Sequence, residues 1–566
     1  MMIAREAMET ALQSYQAYRM SLYVPRVWLN RLFVALLVLN CSVTPLVLVF
    51  FKRRPMTCRL LYLLCDCVLD LMSSIGIPLI LLPAYVKEFD PKVGGFDLSL
   101  SYDDVWYVSA VSELQLVFIS SWMDLFSRVV FYIGFVGCMK SMKDLLRPKA
   151  GHARKRVRPA SGAPTDIQTA VFSIPTSYDC AFVPTLKPLE PKPSGFPSLT
   201  TGTSPSNRRL KHLIHPGFVG WGLAIMILHL RAERQESLAQ CLVQVRPWTA
   251  KKPACSLLSM DCHLDDGLGY AEDITPHWDH VDEATVTRIV IRHCSQLYIP
   301  PKITTLTNVY TIKIYNSTVV DWGNEAALTN RHHPWLNVLL VLRSNFTDGQ
   351  LPRGLLSADF PLILKGIEFQ ISNLRTLPDD LDTKWHSRSY LVFENCQFDQ
   401  FPLVLQRLAP NVISFAFNRI GIVPFGVFQV NGITHLNLAD NPISPLSKPS
   451  RSTFASISSI ISLNLVRTNV SYLPRWIDPI LNRAAITPVV LLRDSPFCVH
   501  RNEIADSRRS HFLELDFVPL DQLSDTMRLT APQLHMLDKK VSYTSSEIYY
   551  YLYERDDALN RLQVAT

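Results

Sequence analysis

The 566-residue sequence contains no glycine-rich phosphate loop, nucleophile elbow, kinase motif set or paired zinc-ligand spacing, which removes the reaction classes that depend on them. Adjacent His332 and His333 have no cysteine or acid at ligand spacing, and Cys65-Asp66-Cys67 lies within an apolar stretch. The chain therefore reads as a non-enzyme with no cofactor and no metal. Residues 1–31 are polar to amphipathic and lack the charged start, short apolar core and small-residue cleavage site of a removable signal peptide. A dispersed basic surface is missing too. Net charge is +7, but residues 139–211 hold thirteen Lys and Arg against four acids and so supply more than the whole excess. This excludes a nucleic-acid footprint and leaves the charge as a topology signal.

Apolar residues are abundant, at 48% of the chain, and they concentrate before residue 231. Residues 32–51 carry no charge and are followed by Lys52-Arg53-Arg54, which predicts a transmembrane helix stopped on its cytoplasmic side. A second span covers residues 60–86, with Asp66 and Asp70 on one face, directed into a bundle or toward headgroups. The loop at 87–104 has two lysines against five acids and reads as extracellular. A third apolar region, 105–138, holds Glu113, Asp124 and Arg128, the last two spaced for an ion pair on a helix. The basic stretch 139–211, with ten prolines, reads as a disordered cytoplasmic loop whose front suits anionic lipid. Residues 213–230 form a fourth span, flanked by Arg208, Arg209 and Lys211. Four spans place both termini outside.

Beyond a cysteine-containing cap at 231–284, the organising pattern is a repeat over 285–498. Ile433 to Ile443 reads ITHLNLADNPI and fits LxxLxLxxNxL. Comparable leading positions fall at Ile289, Ile312, Leu339, Ile367, Leu391, Phe415, Leu436, Leu463 and Val489, at intervals of 21 to 28 residues. An apolar residue followed by proline keeps the same register at Ile299-Pro300, Leu377-Pro378, Phe401-Pro402 and Leu473-Pro474. This predicts an α/β leucine-rich-repeat solenoid of about nine stacked coils. The asparagine position is Asn only at Asn441. Cys294, Ser317, Ser344, Ser372, Cys396, Thr468 and Asp494 replace it, and Ile420 cannot, so that turn must close differently. Cys294 and Cys396 accordingly read as buried thiols.

Four residues beyond the leading position stand Arg343, Arg419, Arg467 and Arg493, a column suited to acidic side chains, sulfate or phosphate. Glycosylation triplets start at Asn316, Asn345 and Asn469. Cys241, Cys255, Cys262 and Cys498 are disulfide candidates whose pairing stays open. Residues 499–566 read as a flanking tail, with a candidate helix at 545–562 bearing Tyr549, Tyr550, Tyr551 and Tyr553.

Segments such as IGIPLILLPAYVKEFD (75–90) and SELQLVFISSWMDLFSRVVF (112–131) make the chain similar to the polytopic membrane leucine-rich-repeat proteins of oomycetes. The resemblance implies an all-α membrane domain followed by the solenoid, and no reaction. The expectation is a glycoprotein of the plasma membrane with an extracellular recognition or adhesion domain, whose partners are lipid and a protein or glycan ligand. The rivals are a transporter or channel component and a cytosolic scaffold.

Overall fold

The computed structural model describes residues 2–50, 55–92, 94–146, 205–265, 267–444, 446, 459–483, 490–510, 512, 522–543, 556 and 558–560. Helices come first. α1 (Met2–Tyr23), α2 (Val27–Phe50) and α3 (Pro55–Leu71) lead through a π-helical turn at Met72–Gly76 into α4 (Ile77–Leu81) and α5 (Pro83–Val86). Pro78 and Pro83 sit in the first turns of α4 and α5. There a missing N–H is best tolerated. A ribbon of β1 (Phe89–Asp90) and β2 (Gly95–Phe96) occupies the acidic loop and is followed by α6 (Asp104–Val117).

The apolar region 105–138 is two helices instead of one, because the chain breaks at residues 118–121 before α7 (Trp122–Leu146). Hydroxyls at the break cap the new helix: Ser120 Oγ donates to Asp124 Oδ2 at 2.8 Å, and Ser121 Oγ accepts from the Asp124 N–H at 3.2 Å. α8 (Pro205–Glu233) closes the helical part and carries Pro216 in its interior. Most of the basic loop, residues 147–204, and most of the tyrosine-bearing tail segment lie outside the described residues.

Residues 1–31 do more than precede the bundle. α1 threads its polar face through it: Gln13 Nε2 donates to Asp70 Oδ1 at 2.9 Å, Gln16 Nε2 to Ser127 Oγ at 2.8 Å, and Arg19 pairs with Asp124. Glu9 Oε1 reaches Gly134 of α7, lying 2.6 Å from where a Cβ would stand. The expected Asp124–Arg128 pair is therefore replaced. Asp124 faces Arg19, and the Arg128 guanidinium donates to the Leu116 carbonyl. Glu113 pairs with Arg26 at 2.8 Å and accepts from the Tyr85 hydroxyl at 2.7 Å. The side chain of Asp66 lies outside the described residues.

The solenoid follows. One sheet runs from β3 (Cys241–Gln244) and β4 (Cys255–Asp261) through β5 (Arg288–Arg292), β7 (Thr311–Tyr315), β9 (Val338–Leu342), β11 (Gly366–Gln370), β12 (Tyr390–Glu394) and β13 (Val412–Ser414). It continues to β14 (His435–Asn437), β15 (Ser462–Asn464), β16 (Val490–Leu491) and β17 (Val541–Ser542). Every pairing from β4 onward is parallel, as stacked coils require. A smaller parallel sheet joins β6 (Leu297–Tyr298), β8 (Thr318–Asp321) and β10 (Asn345–Phe346) along the turns. The fold is thus a leucine-rich-repeat solenoid, and its parallel ladder extends one coil beyond residues 285–498 at each end.

The register corrects two leading positions. Leu391 pairs with Ile413 and Ile413 with Leu436, so Ile413, not Phe415, holds that place; at the last repeat Leu463 pairs with Val490 in place of Val489. Backbone geometry supports this independently. Left-handed φ recurs four residues on, at His293, Asn316, Arg343, Ile371, Asn395, Phe417, Asp440, Arg467 and Asp494. The asparagine position therefore contains Asn418 and Ser495, where sequence reading put Ile420 and Asp494. Asn418 Nδ2 donates to the Phe393, Phe415 and Ala416 carbonyls at 2.7, 2.9 and 3.2 Å, and its Oδ1 accepts from the Phe398 N–H at 3.2 Å. Asn441 repeats the pattern one coil on, with Ile420 N–H donating to its Oδ1 at 3.0 Å. Asn418→Ala strips these partners from buried backbone and should cost about 2–4 kcal/mol. A matching fall in the urea midpoint of the solenoid transition is the measurement, with Arg419→Ala unchanged.

Disulfides join Cys241 to Cys255 and Cys262 to Cys294. Cys294 is therefore not a reduced thiol: it fills the asparagine position of its coil and is bonded to the coil before. Cys498 forms no disulfide and Cys396 is a buried thiol, its Sγ donating to the Phe369 and Glu394 carbonyls at 3.6 and 3.5 Å.

Candidate ligand-binding surface

Side chains one residue beyond the leading position point away from the core, toward the concave face where solenoids commonly bind ligands. Here they are Val290, Lys313, Leu340, Glu368, Val392, Ser414, Asn437, Asn464 and Leu491, and all are buried. On the first half of the solenoid the covering chain is the protein's own. The end of the acidic loop and α6 lie across β5, β7 and β11. Lys313 Nζ, wholly buried, donates to Tyr102 O at 3.1 Å, Asp104 Oδ2 at 3.1 Å and Asp556 Oδ1 at 2.7 Å. Arg288 pairs with the same Asp104, donates to Ser101 O at 3.2 Å and lies 5.0 Å over the Tyr107 ring. Val108 of α6 packs on Val243, Leu257 and Val290.

Deeper in the same junction two carboxyls are buried. Glu368 Oε2 accepts from the Tyr102 hydroxyl at 2.8 Å and from Gln370 Nε2 at 2.9 Å. Burial pushes its pKa up to about 7 against the pull of these donors and of Lys313. Glu394 accepts from Ser414 Oγ. Burial, reinforced by the neighbouring Glu368, pushes it up to about 8. The Tyr102 phenol is raised well above its ordinary value by burial and by Glu368.

The predicted arginine column does not hold together. Arg343 and Arg467 stand at the left-handed position, whereas Arg419 lies two residues past it and Arg493 one before. Arg467 makes a two-pronged pair with Asp440 and lies 5.9 Å from the Phe417 ring centre, and Arg493 Nε pairs with Asp494 at 3.0 Å. A continuous basic stripe for anions is thus broken by acids in the column itself. Asn316, Asn345 and Asn469 are exposed on the solenoid.

A cleft of about 440 Å³ opens where the end of α1 and α6 meet the leading edge of the first solenoid strands. Its walls include Tyr23, Tyr107, Tyr310 and Trp335, with Asn308, Asn337, Gln115 and Thr287 between them. Tyr310 and Trp335 are 40% and 53% exposed and line the cleft. Sequence reading missed this site and the Lys313 cluster, because both join residues far apart in the chain.

No family model matches the chain, and no curated protein does. Among solved structures it is similar to a TLR13–ssRNA13 complex at 12% identity and TM-score 0.32, over 42% of this chain and 31% of that one. It is similar also to the Toll–Spätzle complex of Drosophila at 16% and 0.27, over 38% and 32%. The APL1 leucine-rich-repeat domain matches at 13% and 0.27, over 37% and 57%. The chain spans about a third of the length of the first two, 31% and 32%. The repeat assignment rests on the strand ladder itself.

Proposed function

We propose that the protein is a membrane-anchored, receptor-like recognition protein, with a helical domain that crosses the plasma membrane and an outward-facing solenoid that binds a protein or glycan. The observation that carries this reading is the inverted polarity of α7. Trp122, Phe126, Val129, Ile133 and Val136 face outward and exposed, while Asp124 and Ser127 are fully buried against α1. Water selects the opposite arrangement, and a bilayer selects this one. Among the described residues, Trp122–Lys143 is the stretch long and apolar enough to cross by length and composition; α2 reaches that hydropathy only over Val27–Val43. α8 exposes Trp221, Leu223, Ile227 and Leu230 in the same manner.

The contacts of Asp104 with Arg288 and Lys313 require the acidic loop and the solenoid to share one side of the membrane. Crossings by α2, α3 to α5, α7 and α8 provide that, and leave the basic loop opposite. α1 then serves as a polar strut inside the bundle, which moves the N-terminus to the side of the basic loop instead of the outside. Two disulfides in the cap fit an oxidising compartment. For a transporter, Asp70, Glu113 and Asp124 would line a path, but each is held by α1 or the turn after it, which favours packing.

Protease protection in sealed right-side-out vesicles tests the arrangement, with tags at the N-terminus, within residues 147–204 and after Thr566. The first two should be protected and the last digested. A protected C-terminal tag would replace this reading with a cytosolic scaffold.

A further inference from the structure

We infer that the cleft between the helical domain and the solenoid binds a neutral sugar ring. Its size, about 440 Å³, lies within the range of small-ligand sites. Arg288 is the one lining residue with a formal charge, and Asp104 neutralises it. An anion or cation would therefore find no counter-charge, and a lipid tail would find too many hydroxyls and amides. What remains is a set of aromatic residues, above all the exposed Trp335 and Tyr310, alternating with the neutral hydrogen-bonding groups of Asn308 and Asn337. A pyranose matches both: its C–H faces pack on aromatic rings and its hydroxyls bond amides and phenols. The cleft begins at Leu22 and Tyr23, the last residues of α1, and so opens beside the outer leaflet in the topology above. The sugar can thus come from a membrane glycolipid or from a soluble glycan.

This deepens the recognition reading and is tested independently of topology, on detergent-solubilised full-length protein. A panel of neutral methyl glycosides and disaccharides is titrated by saturation-transfer NMR and calorimetry, beside inorganic phosphate and a sulfated disaccharide. At least one neutral sugar should bind through its ring C–H protons. Trp335→Ala should weaken it about tenfold, the loss of a buried aromatic contact, and Asn337→Ala should weaken it too, with unchanged melting temperature. Both residues are exposed, so neither truncation opens the core. Tyr310→Phe, which keeps the ring, should lose less than Trp335→Ala. Nanodiscs with and without a monohexosyl lipid separate the sources: occupancy that a free glycoside displaces only in the glycolipid discs assigns the lipid, and tighter binding of soluble oligosaccharide assigns the soluble glycan. Binding of the charged probes alone, absence of any neutral-sugar binding, or binding indifferent to Trp335→Ala overturns the inference.

Discussion

Asp104→Ala releases the solenoid from the helical domain while leaving the solenoid folded. Asp104 is the shared counter-ion of two buried cations, Arg288 and Lys313, whose side chains are 3% and 0% exposed. Without it, Lys313 keeps Asp556 and Arg288 keeps the carbonyl of Ser101. Removing one member of a buried ion network costs roughly 3–5 kcal/mol, since the remaining charge stays desolvated. The coils have their own apolar core, continuous from Cys255 to Val541, to which Asp104 does not belong. The cheapest response is therefore to open the junction and rehydrate the cations. Hydrogen exchange should show lost protection in α6 and the turn before it, with the β12 to β15 ladder unchanged. Lys384→Ala, which breaks a solvent-screened surface pair with Asp380, should leave stability and α6 exchange unchanged. An Asp104→Ala protein with wild-type exchange in α6 would show that the charge cluster does not hold the junction.

The coil period was legible because each coil must bury the same two inward positions, and apolar side chains there are chosen by packing. The same redundancy caused the slip at Phe415. Both Ile413 and Phe415 point inward, so a two-residue shift keeps every apolar requirement satisfied; only the polar turn distinguishes them, and Asn418 was the deciding signal. That slip displaced Arg419 into a column it does not occupy. Cys294 carried a similar clue, a cysteine in the asparagine position with Cys262 one coil upstream. The partners of the bundle acids were hidden for a different reason. Arg19 and Asp124 are 105 residues apart, Lys313 and Asp556 are 243 apart, and neither pair leaves any periodic trace. Local spacing favoured Asp124 with Arg128, but a helix-surface pair is weak and the strut α1 offers Asp124 a buried partner inside the bundle.

Raising the pH from 5.5 to 8.5 should loosen the same junction. Glu368 and Glu394 bind their protons more tightly folded, at about 7 and about 8, than in an unfolded chain, where a glutamate carboxyl has its ordinary value of 4.5. Between those limits the folded state holds more protons, so stability falls as pH rises. Their contribution is complete below about pH 4.5 and is lost as pH passes the folded values. Glu368 faces Tyr102, Gln370 and Lys313, and Glu394 faces Ser414 and Glu368, so ionising both places two negative charges where Lys313 is the nearby cation already shared with Asp104 and Asp556. The double variant Glu368→Gln with Glu394→Gln keeps hydrogen-bonding capacity and removes the titration. At pH 8.5 it should be more stable than the wild type by several kcal/mol, given about 1.4 kcal/mol for each tenfold difference in proton affinity, and should show a flat profile. Tyr102→Phe removes a donor to the ionised carboxylate, so it should move the wild-type midpoint downward in stability and upward in pH. Melting temperature and α6 exchange recorded across the range decide it. Parallel profiles for wild type and the double variant would place the pH sensitivity elsewhere, whereas loss confined to the wild type makes the two carboxyls a proton-dependent hinge between solenoid and helices.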